Sequence, residues 1–200
     1  MKRRPYGPAA WILDDVADPA GFARSISAAK LDGVQDVIPA ESSIVVICQL
    51  DESAAVGERL DELEPTVAGA DDGELFVIDV VYDGDDLGAI ADATGLSIDE
   101  VVARHRNGSY RVAFCGFSPG FGYLTGLDPV LHVPRRNTPR TRVPAGAVAI
   151  AAGYSAVYPA ASPGGWHLIG TTRATLWDTN SHPPAALWPG RAVRFRQVGP

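Results

Sequence analysis

Four arginines, Arg135, Arg136, Arg140 and Arg142, fall within eight residues beside Pro134, Pro139 and Pro144. A guanidinium fork holds a carboxylate or phosphate through two parallel hydrogen bonds, and flanking prolines stiffen the segment so that less chain entropy is lost when an anion binds. Side chains alternate along an extended segment, which places Arg140 and Arg142 on one face, with Arg136 able to join them. The competing reading is a solvated basic loop, the usual state of a run of charges. Upstream lies the loop Gly116-Phe-Ser-Pro-Gly-Phe-Gly-Tyr-Leu-Thr-Gly126. Its first five residues spell G-x-S-x-G, the pattern of a nucleophile elbow, in which the residue after the serine donates its backbone N–H to the oxyanion. Here that residue is Pro119, which has no N–H, and no helical pattern follows, so Ser118 is not read as a nucleophile. Two readings stay open for the loop: backbone N–H groups lining a small anionic or amide ligand, or a structural corner.

Other motifs narrow the chemistry. Gly120-x-Gly122 is not a dinucleotide fingerprint, because the third glycine would fall at Thr125. No G-x-x-x-x-G-K-[ST] occurs, so any ATP is handled without a Walker A loop. Ser162-Pro-Gly-Gly-Trp166 reads as a turn that sets an indole either in the core or as a ligand platform, and Tyr158 is comparable. His105 closes a capped helix, where a histidine commonly satisfies the last carbonyls and the helix dipole. Cys48 and Cys115 lie in apolar strand-like runs without a Cys-x-x-Cys, which reads as two buried thiols and excludes a zinc or disulfide framework.

The elements that must position these groups follow from periodicity. Ala9–Leu13 reads as a short strand, and Asp18-Pro19 as an N-cap with proline at the first helical position, for a helix ending near Gly33. Val34–Ile38 is a second strand, and the unbroken apolar run Ile44–Cys48 suits a central one. Val56, Leu60 and Leu63 recur at helical spacing before Pro65, and Glu74–Tyr82 is a fourth strand. Strand, helix, strand, strand, helix, strand is the split βαβ, ferredoxin-like order. Gly69–Gly73 reads as an acidic loop. Asp85–Ala93 and Ser97–Arg106 are short helices, the second with a Ser97-Ile-Asp-Glu100 capping box. From Tyr110 onward, short apolar runs such as Ala147–Ile150, Leu168–Ile169, Ala174–Trp177 and Ala192–Phe195 alternate with Gly/Pro turns, the pattern of a closed or sandwiched antiparallel sheet. The fold class is α+β in two domains, 1–83 and 84–200.

Composition bounds the function. The chain has 200 residues, 46% hydrophobic and 20% charged, as in an ordinary soluble protein. No apolar run approaches the roughly 18 residues a membrane helix needs, and the basic start has no signal-peptide core behind it, so no membrane partner is expected and the cytoplasm is the default. Residues 1–84 hold 17 acids against 6 bases, whereas residues 104–200 hold 11 arginines against Asp128 and Asp178. Opposite fields suit separate domains or a basic site on an acidic body. Nucleic acid is not expected, since no lysine follows Lys30 and no recognition-helix pattern appears. In a chain half so poor in acids, Arg140 is expected to be available to a ligand's carboxylate or phosphate.

The succession GFSPGF-YL-GL, PRR--PR--VPAG-VAIA and YP--SPGGW-LIG-T resembles the B subunit of prokaryotic 5-oxoprolinase, a family also known as allophanate hydrolase subunit 1 or the carboxyltransferase C/D subdomain, which includes a sporulation-kinase inhibitor of bacilli. The resemblance is dense over about residues 105–177, and weaker but in register over the rest. It implies that the second domain is a cyclophilin-like β-barrel. It implies ATP-dependent opening of 5-oxoproline to glutamate together with an A subunit and an allophanate hydrolase subunit 2-like C subunit. ATP with magnesium would be bound by the complex, with no metal or organic cofactor in this chain. Activation of the lactam amide by phosphorylation of its carbonyl oxygen, as the resemblance implies, needs cations for the phosphoryl group and donors for a developing oxyanion. On the family pattern His105 ranks first for proton transfer and Arg140 joins it as catalytic. Substrate contacts fall to Gly116, Phe117, Pro119, Gly120, Phe121, Tyr123, Arg135, Arg136, Gly146, Tyr158, Ser162, Gly164, Gly165, Trp166 and Thr172. The alternatives are a non-enzymatic regulator of a sensor histidine kinase and the carboxyltransferase half of a urea-type carboxylase. The chain departs from the pattern twice: Thr171-Thr172 stands where arginine then threonine is usual, and Tyr154-Ser155-Ala156 where a Gln-Thr-Gly run is usual.

Overall fold

Asp18 opens the first helix as the Asp-Pro pair predicts: its carboxylate accepts the Gly21 N–H at 2.9 Å, and Pro19 sits where a missing donor costs nothing. The helix, α1 (Pro19–Ala28), turns Phe22, Ala23 and Ile26 inward. It belongs to the first of two units, Met1–Asp72 and Gly73–Pro200, into which the chain divides in a computed structural model that describes residues 1–64 and 75–199. The first unit also contains β1 (Lys2–Pro5), β2 (Ala10–Asp14), β3 (Val34–Pro39), β4 (Ile44–Cys48) and α2 (Ser53–Glu62). Its sheet is antiparallel throughout in the order β1-β2-β4-β3, so the unbroken apolar strand β4 is central, as its composition predicts. Leu13, Ile44 and Val46 from the sheet pack with Phe22 and Ile26 of α1 and Val56 and Leu60 of α2 in one core.

The ferredoxin-like expectation needs correction here. The predicted fourth strand, observed as β5 (Phe76–Val80), lies in the second unit and pairs parallel with the last strand of the chain. The place beside β2 that it would have taken is filled by β1, which has no apolar alternation to announce it. Ion pairs accompany its backbone ladder instead: Arg4 with Asp14 at 2.7 Å and Arg3 with Asp61 at 2.5 Å, while the Arg3 guanidinium lies 4.4 Å over the Trp11 ring. The division at Asp72–Gly73 thus precedes the 83–84 boundary expected from the charge change. Pro65 and the Gly69–Gly73 loop lie outside the described residues.

The second unit continues from β5 with α3 (Leu87–Thr94) and α4 (Ile98–Arg106). Gly95 ends α3 in the left-handed conformation at φ +70°. The predicted capping box of α4 is formed, Ser97 N–H donating to Glu100 at 2.8 Å and Glu100 N–H to Ser97 Oγ at 3.3 Å. Then come β6 (Tyr110–Cys115), β7 (Gly122–Thr125), a 3₁₀ turn at Pro129–Leu131, β8 (Arg140–Val143), β9 (Ala147–Ala151), β10 (Tyr154–Val157), β11 (Ser162–Gly164), β12 (His167–Thr171) and β13 (Ala192–Gln197). Seven strands form one sheet in the order β12-β9-β10-β7-β6-β13-β5. Its two ends meet through Val81 and Thr171, which exchange backbone hydrogen bonds of 2.9 and 2.8 Å, so the sheet is nearly closed and barrel-like. Ala174–Trp177, expected as a strand, makes only a single bridge from Trp177 to Ala185.

Alternation along β9 explains how one strand serves two cores. Val148 and Ile150 join Ile78, Val112, Leu124, Ile169 and Phe195 in the larger core, together with Leu87 and Ile90 of α3 and Val101 of α4. Ala147, Ala149 and Ala151 point the other way, into a second cluster with Phe121, Val143, Tyr158, Trp166 and Leu168. The two-stranded ribbon β8–β11 contributes Val143 to that second cluster. Small alanines leave room there for large aromatic rings, which is where the motif residues gather.

Candidate functional site

The Gly116–Gly126 loop first satisfies itself. Ser118 N–H donates to the Gly116 carbonyl at 2.8 Å, Phe121 N–H to the Ser118 carbonyl at 3.0 Å, and Gly116 N–H to the Phe121 carbonyl at 3.2 Å. Three of the N–H groups expected to line a ligand are therefore spent in the turn. The tight path needs left-handed backbone at Gly120, φ +80°, and imposes it on Phe117, φ +68°, where a side chain is strained. Phe117 is 60% exposed, its ring edge-on to Phe121 at 5.1 Å and to Tyr158 at 6.2 Å. Beneath it Phe121, Tyr123, Tyr158 and Trp166 pack edge to face with centroids 5.0 to 5.8 Å apart. Tyr158 and Trp166 are 2% and 5% exposed, so both are core residues and the platform reading does not apply to them. Burial raises the Tyr158 phenol above its ordinary value, against the Trp166 N–H and the charges of Arg135 and Arg140.

The arginine segment lies beside this cluster. Arg136 N–H donates to the Gly165 carbonyl at 2.8 Å, and Arg140 pairs with Gly164, as Val143 does with Ser162, in the β8–β11 ribbon. The expectation that Arg140 lacks an internal carboxylate is overturned. Its Nη2 donates to Asp86 Oδ1 at 2.9 Å and its Nη1 lies 2.9 Å from Asp86 Oδ2. Arg136 Nη1 donates to the same Oδ1 at 2.5 Å, and the Leu168 N–H to Oδ2 at 2.7 Å. Asp86 is 3% exposed. Burial alone would raise its carboxyl; the hydrogen bonds from Arg140 and Leu168 and the two guanidinium charges outweigh burial and hold it below the ordinary range. Arg135 and Arg142 are exposed.

Sequence reasoning missed Asp86 because the partners are 50 and 54 residues apart and because an acid at the head of a helix reads as a cap. Asp86 does stand at the N-cap of α3, yet its side chain makes no capping bond and turns to the arginines. The only available signal was a lack: a chain half rich in arginine needs an acid from elsewhere, and the Asp83–Asp86 stretch supplies it.

Gly146 and Thr172 are brought together at a turn, Thr172 N–H donating to the Gly146 carbonyl at 2.8 Å and Gly146 N–H to that of Tyr158 at 2.8 Å. His105 is not brought to the loop. It is fully buried in the larger core, its ring 4.5 Å from Phe195 and 5.3 Å from Tyr110. Tyr82 Oη lies 2.8 Å from its Nδ1, and Ser155 Oγ lies 2.8 Å from its Nε2. Ser155 can donate onward to the Ala149 carbonyl at 3.4 Å, so a consistent chain runs Tyr82 O–H to Nδ1, Nε2–H to Ser155, Ser155 O–H to Ala149. Burial pushes the imidazole down to about 3, which keeps it neutral. A neutral ring with both nitrogens bonded and no solvent access loses the geometric basis for the proton transfer expected of it.

Similarity to known proteins settles the kinship of this chain. Residues 12–187 match the family described as carboxyltransferase domain, subdomain C and D. The chain belongs to that family. Among its relatives, the 5-oxoprolinase B subunit of Escherichia coli O157:H7 is 43% identical over 171 residues, 82% of this chain and 78% of the relative. The protein of the same name in Bacillus subtilis (strain 168) is 39% identical over 150 residues, 72% of this chain and 60% of its own length. The crystal structure of TTHA0988 superposes with a TM-score of 0.82 at 35% identity over 96% of this chain. This chain spans only 41% of TTHA0988, so the larger part of that protein has no counterpart here. PH0987 from Pyrococcus horikoshii matches end to end, 98% of this chain and 97% of its own, with a TM-score of 0.60 and 29% identity. The Kluyveromyces lactis urea amidolyase, 17% identical with a TM-score of 0.71, shares the fold.

Within this carboxyltransferase-family chain the two departures from the motif pattern are both absorbed structurally. Thr171 Oγ donates to Asp83 at 3.0 Å beside the closing bridge, and Ser155 holds His105. Among the described residues no group of three His, Cys, Asp or Glu side chains is placed to hold a metal, and no helix is long and apolar enough to cross a membrane.

Proposed function

We propose that this chain is the B subunit of an ATP-dependent 5-oxoprolinase, acting in the cytoplasm with an allophanate hydrolase subunit 2-like C subunit and an A subunit to open 5-oxo-L-proline to glutamate. The observation that carries the reading is the run of relatives named as the 5-oxoprolinase B subunit at 39 to 43% identity over 69 to 82% of the chain. The nearly closed sheet supports a cyclophilin-like barrel as the unit that bears the site.

In this reading the chain supplies a cationic edge and an aromatic surface. Arg135 is free of the Asp86 cluster and exposed, Arg136 and Arg140 stand clamped beside it, and Phe117 offers a ring face suited to a flat lactam. The nucleotide and its magnesium are assigned to the complex as a whole, and no step of this reading runs through them. With His105 sealed in the core, general acid–base groups are also assigned to the partners. The likeness to urea amidolyase is one of fold and favours no carboxylation.

A strain lacking the gene is expected to lose growth on 5-oxoproline as sole nitrogen source and to regain it with the wild-type gene. Undiminished growth of the deletion strain, in a host with no second such enzyme, contradicts the assignment.

A further inference from the structure

Asp86 is bound in a way that a plain surface ion pair is not. Its carboxylate takes Arg140, Arg136 and the Leu168 N–H, while its own N–H donates to the Leu168 carbonyl at 3.0 Å, which fixes the acid to β12 from both ends. The backbones of the two arginines are held without it, Arg136 through Gly165 and Arg140 through the ribbon ladder. What Asp86 determines is therefore where the two guanidinium heads stand. Two cations on one carboxylate leave the cluster positive; the nearest further acid, Asp85, is 4.0 Å from Arg140 and 81% exposed, where water screens it. Repulsion between the guanidiniums is quenched while their attraction for an incoming anion remains. The field of Arg140 reaches the Tyr158 hydroxyl, under the exposed ring of Phe117.

We propose that Asp86 is a positioning residue of the reaction assigned above, holding Arg136 and Arg140 preset for the anion, carboxylate or transferring phosphoryl, that this reaction presents. The inference rests on that assignment. Preset cations need no reorganisation as charge develops, whereas loose ones do.

The test uses the reconstituted three-subunit complex carrying Asp86→Asn or Asp86→Ala, with melting temperature and co-purification measured beside kcat and KM. Both variants are expected to assemble, with kcat lowered about a hundredfold, as for an ångström-scale misplacement, and KM for 5-oxoproline within about threefold. Formate, the smallest carboxylate, is expected to restore Asp86→Ala about tenfold by filling the vacated carboxylate position, and chloride at equal ionic strength is not. An assembled variant with kcat within about threefold of wild type overturns the proposal, as does a loss in Asp86→Ala that formate leaves unchanged. Should neither variant assemble, Arg136→Lys keeps the charge on Asp86 and removes the fork. The same fall in kcat with assembly intact is then expected, and wild-type kcat overturns the proposal. A wild-type complex without activity sinks the assignment itself; an active wild type with indifferent variants sinks only the role of Asp86.

Discussion

Replacing His105 by alanine is expected to destabilise the protein by about 4 kcal/mol, lowering the melting temperature by roughly 10 °C. The loss has two sources. The ring packs against Phe195, Tyr110 and Tyr82, and its removal leaves a cavity in a core without slack. It also bridges Tyr82 and Ser155, whose hydroxyls would be left buried without a partner. The wild type carries a pH signature of the same residue. With the folded imidazole held down to about 3 by burial and the unfolded one near its ordinary value of 6.5, the unfolded state binds a proton that the folded state refuses. The contribution is complete above pH ~6.5 and is lost as pH falls toward the folded value, so about 2 to 3 kcal/mol should disappear between pH 7 and 4.5. Asp86, whose folded carboxyl is lowered, contributes above its unfolded value and loses that contribution only at more acid pH. Denaturant titrations across pH 7 to 4.5 check this: a flat wild-type profile, or an equal slope in His105→Ala, counts against the buried neutral histidine.

Gly126→Ala should be the most damaging change within the motif loop. Gly126 has φ +100°, and a Cβ there would overlap the backbone carbonyl oxygen of Ser109, which no rotamer change can move. Strain and overlap together are expected to cost roughly 3 kcal/mol or more. Gly116→Ala is the control: it has no left-handed φ, and its added Cβ would find only the Tyr123 ring at 4.0 Å. It should melt within about 0.5 kcal/mol of wild type, so a fall in complex activity there reports on the ligand surface and not on folding. Equal melting of the two variants would remove the structural account of Gly126.

The contrast between those glycines shows where the sequence was legible. Local signals held: the Asp18-Pro19 cap, the Ser97–Glu100 box and the Gly95 terminus are each decided within a few residues, by groups that satisfy nearby helix-end backbone, and the run Ile44–Cys48 is placed centrally as its unbroken apolar composition predicts. Signals that depend on distant pairing failed. Phe76–Val80 has the composition of a strand in either unit, and only Val193 and Phe195, more than a hundred residues on, decide which. Lys2–Pro5 joins a sheet edge without hydrophobic alternation. At the site, the aromatic and arginine motifs do gather, but the partner that organises the arginines was hidden in a helix cap, and His105, attractive for its place before a strand, is drawn inward by the strand it precedes. Motif letters identified the family more readily than they identified which motif residues are free to act.

As the proposed B subunit of a 5-oxoprolinase, this chain is expected to act only together with its partners. The most direct measurement follows ADP and glutamate release from ATP and 5-oxoproline with the purified chain, with the C and A subunits, and with all three together. Silence is expected from the chain alone and from the partners alone, and coupled release of both products from the full set. Turnover by the isolated chain, or a complete mixture that forms an assembled complex and releases neither product, would contradict it.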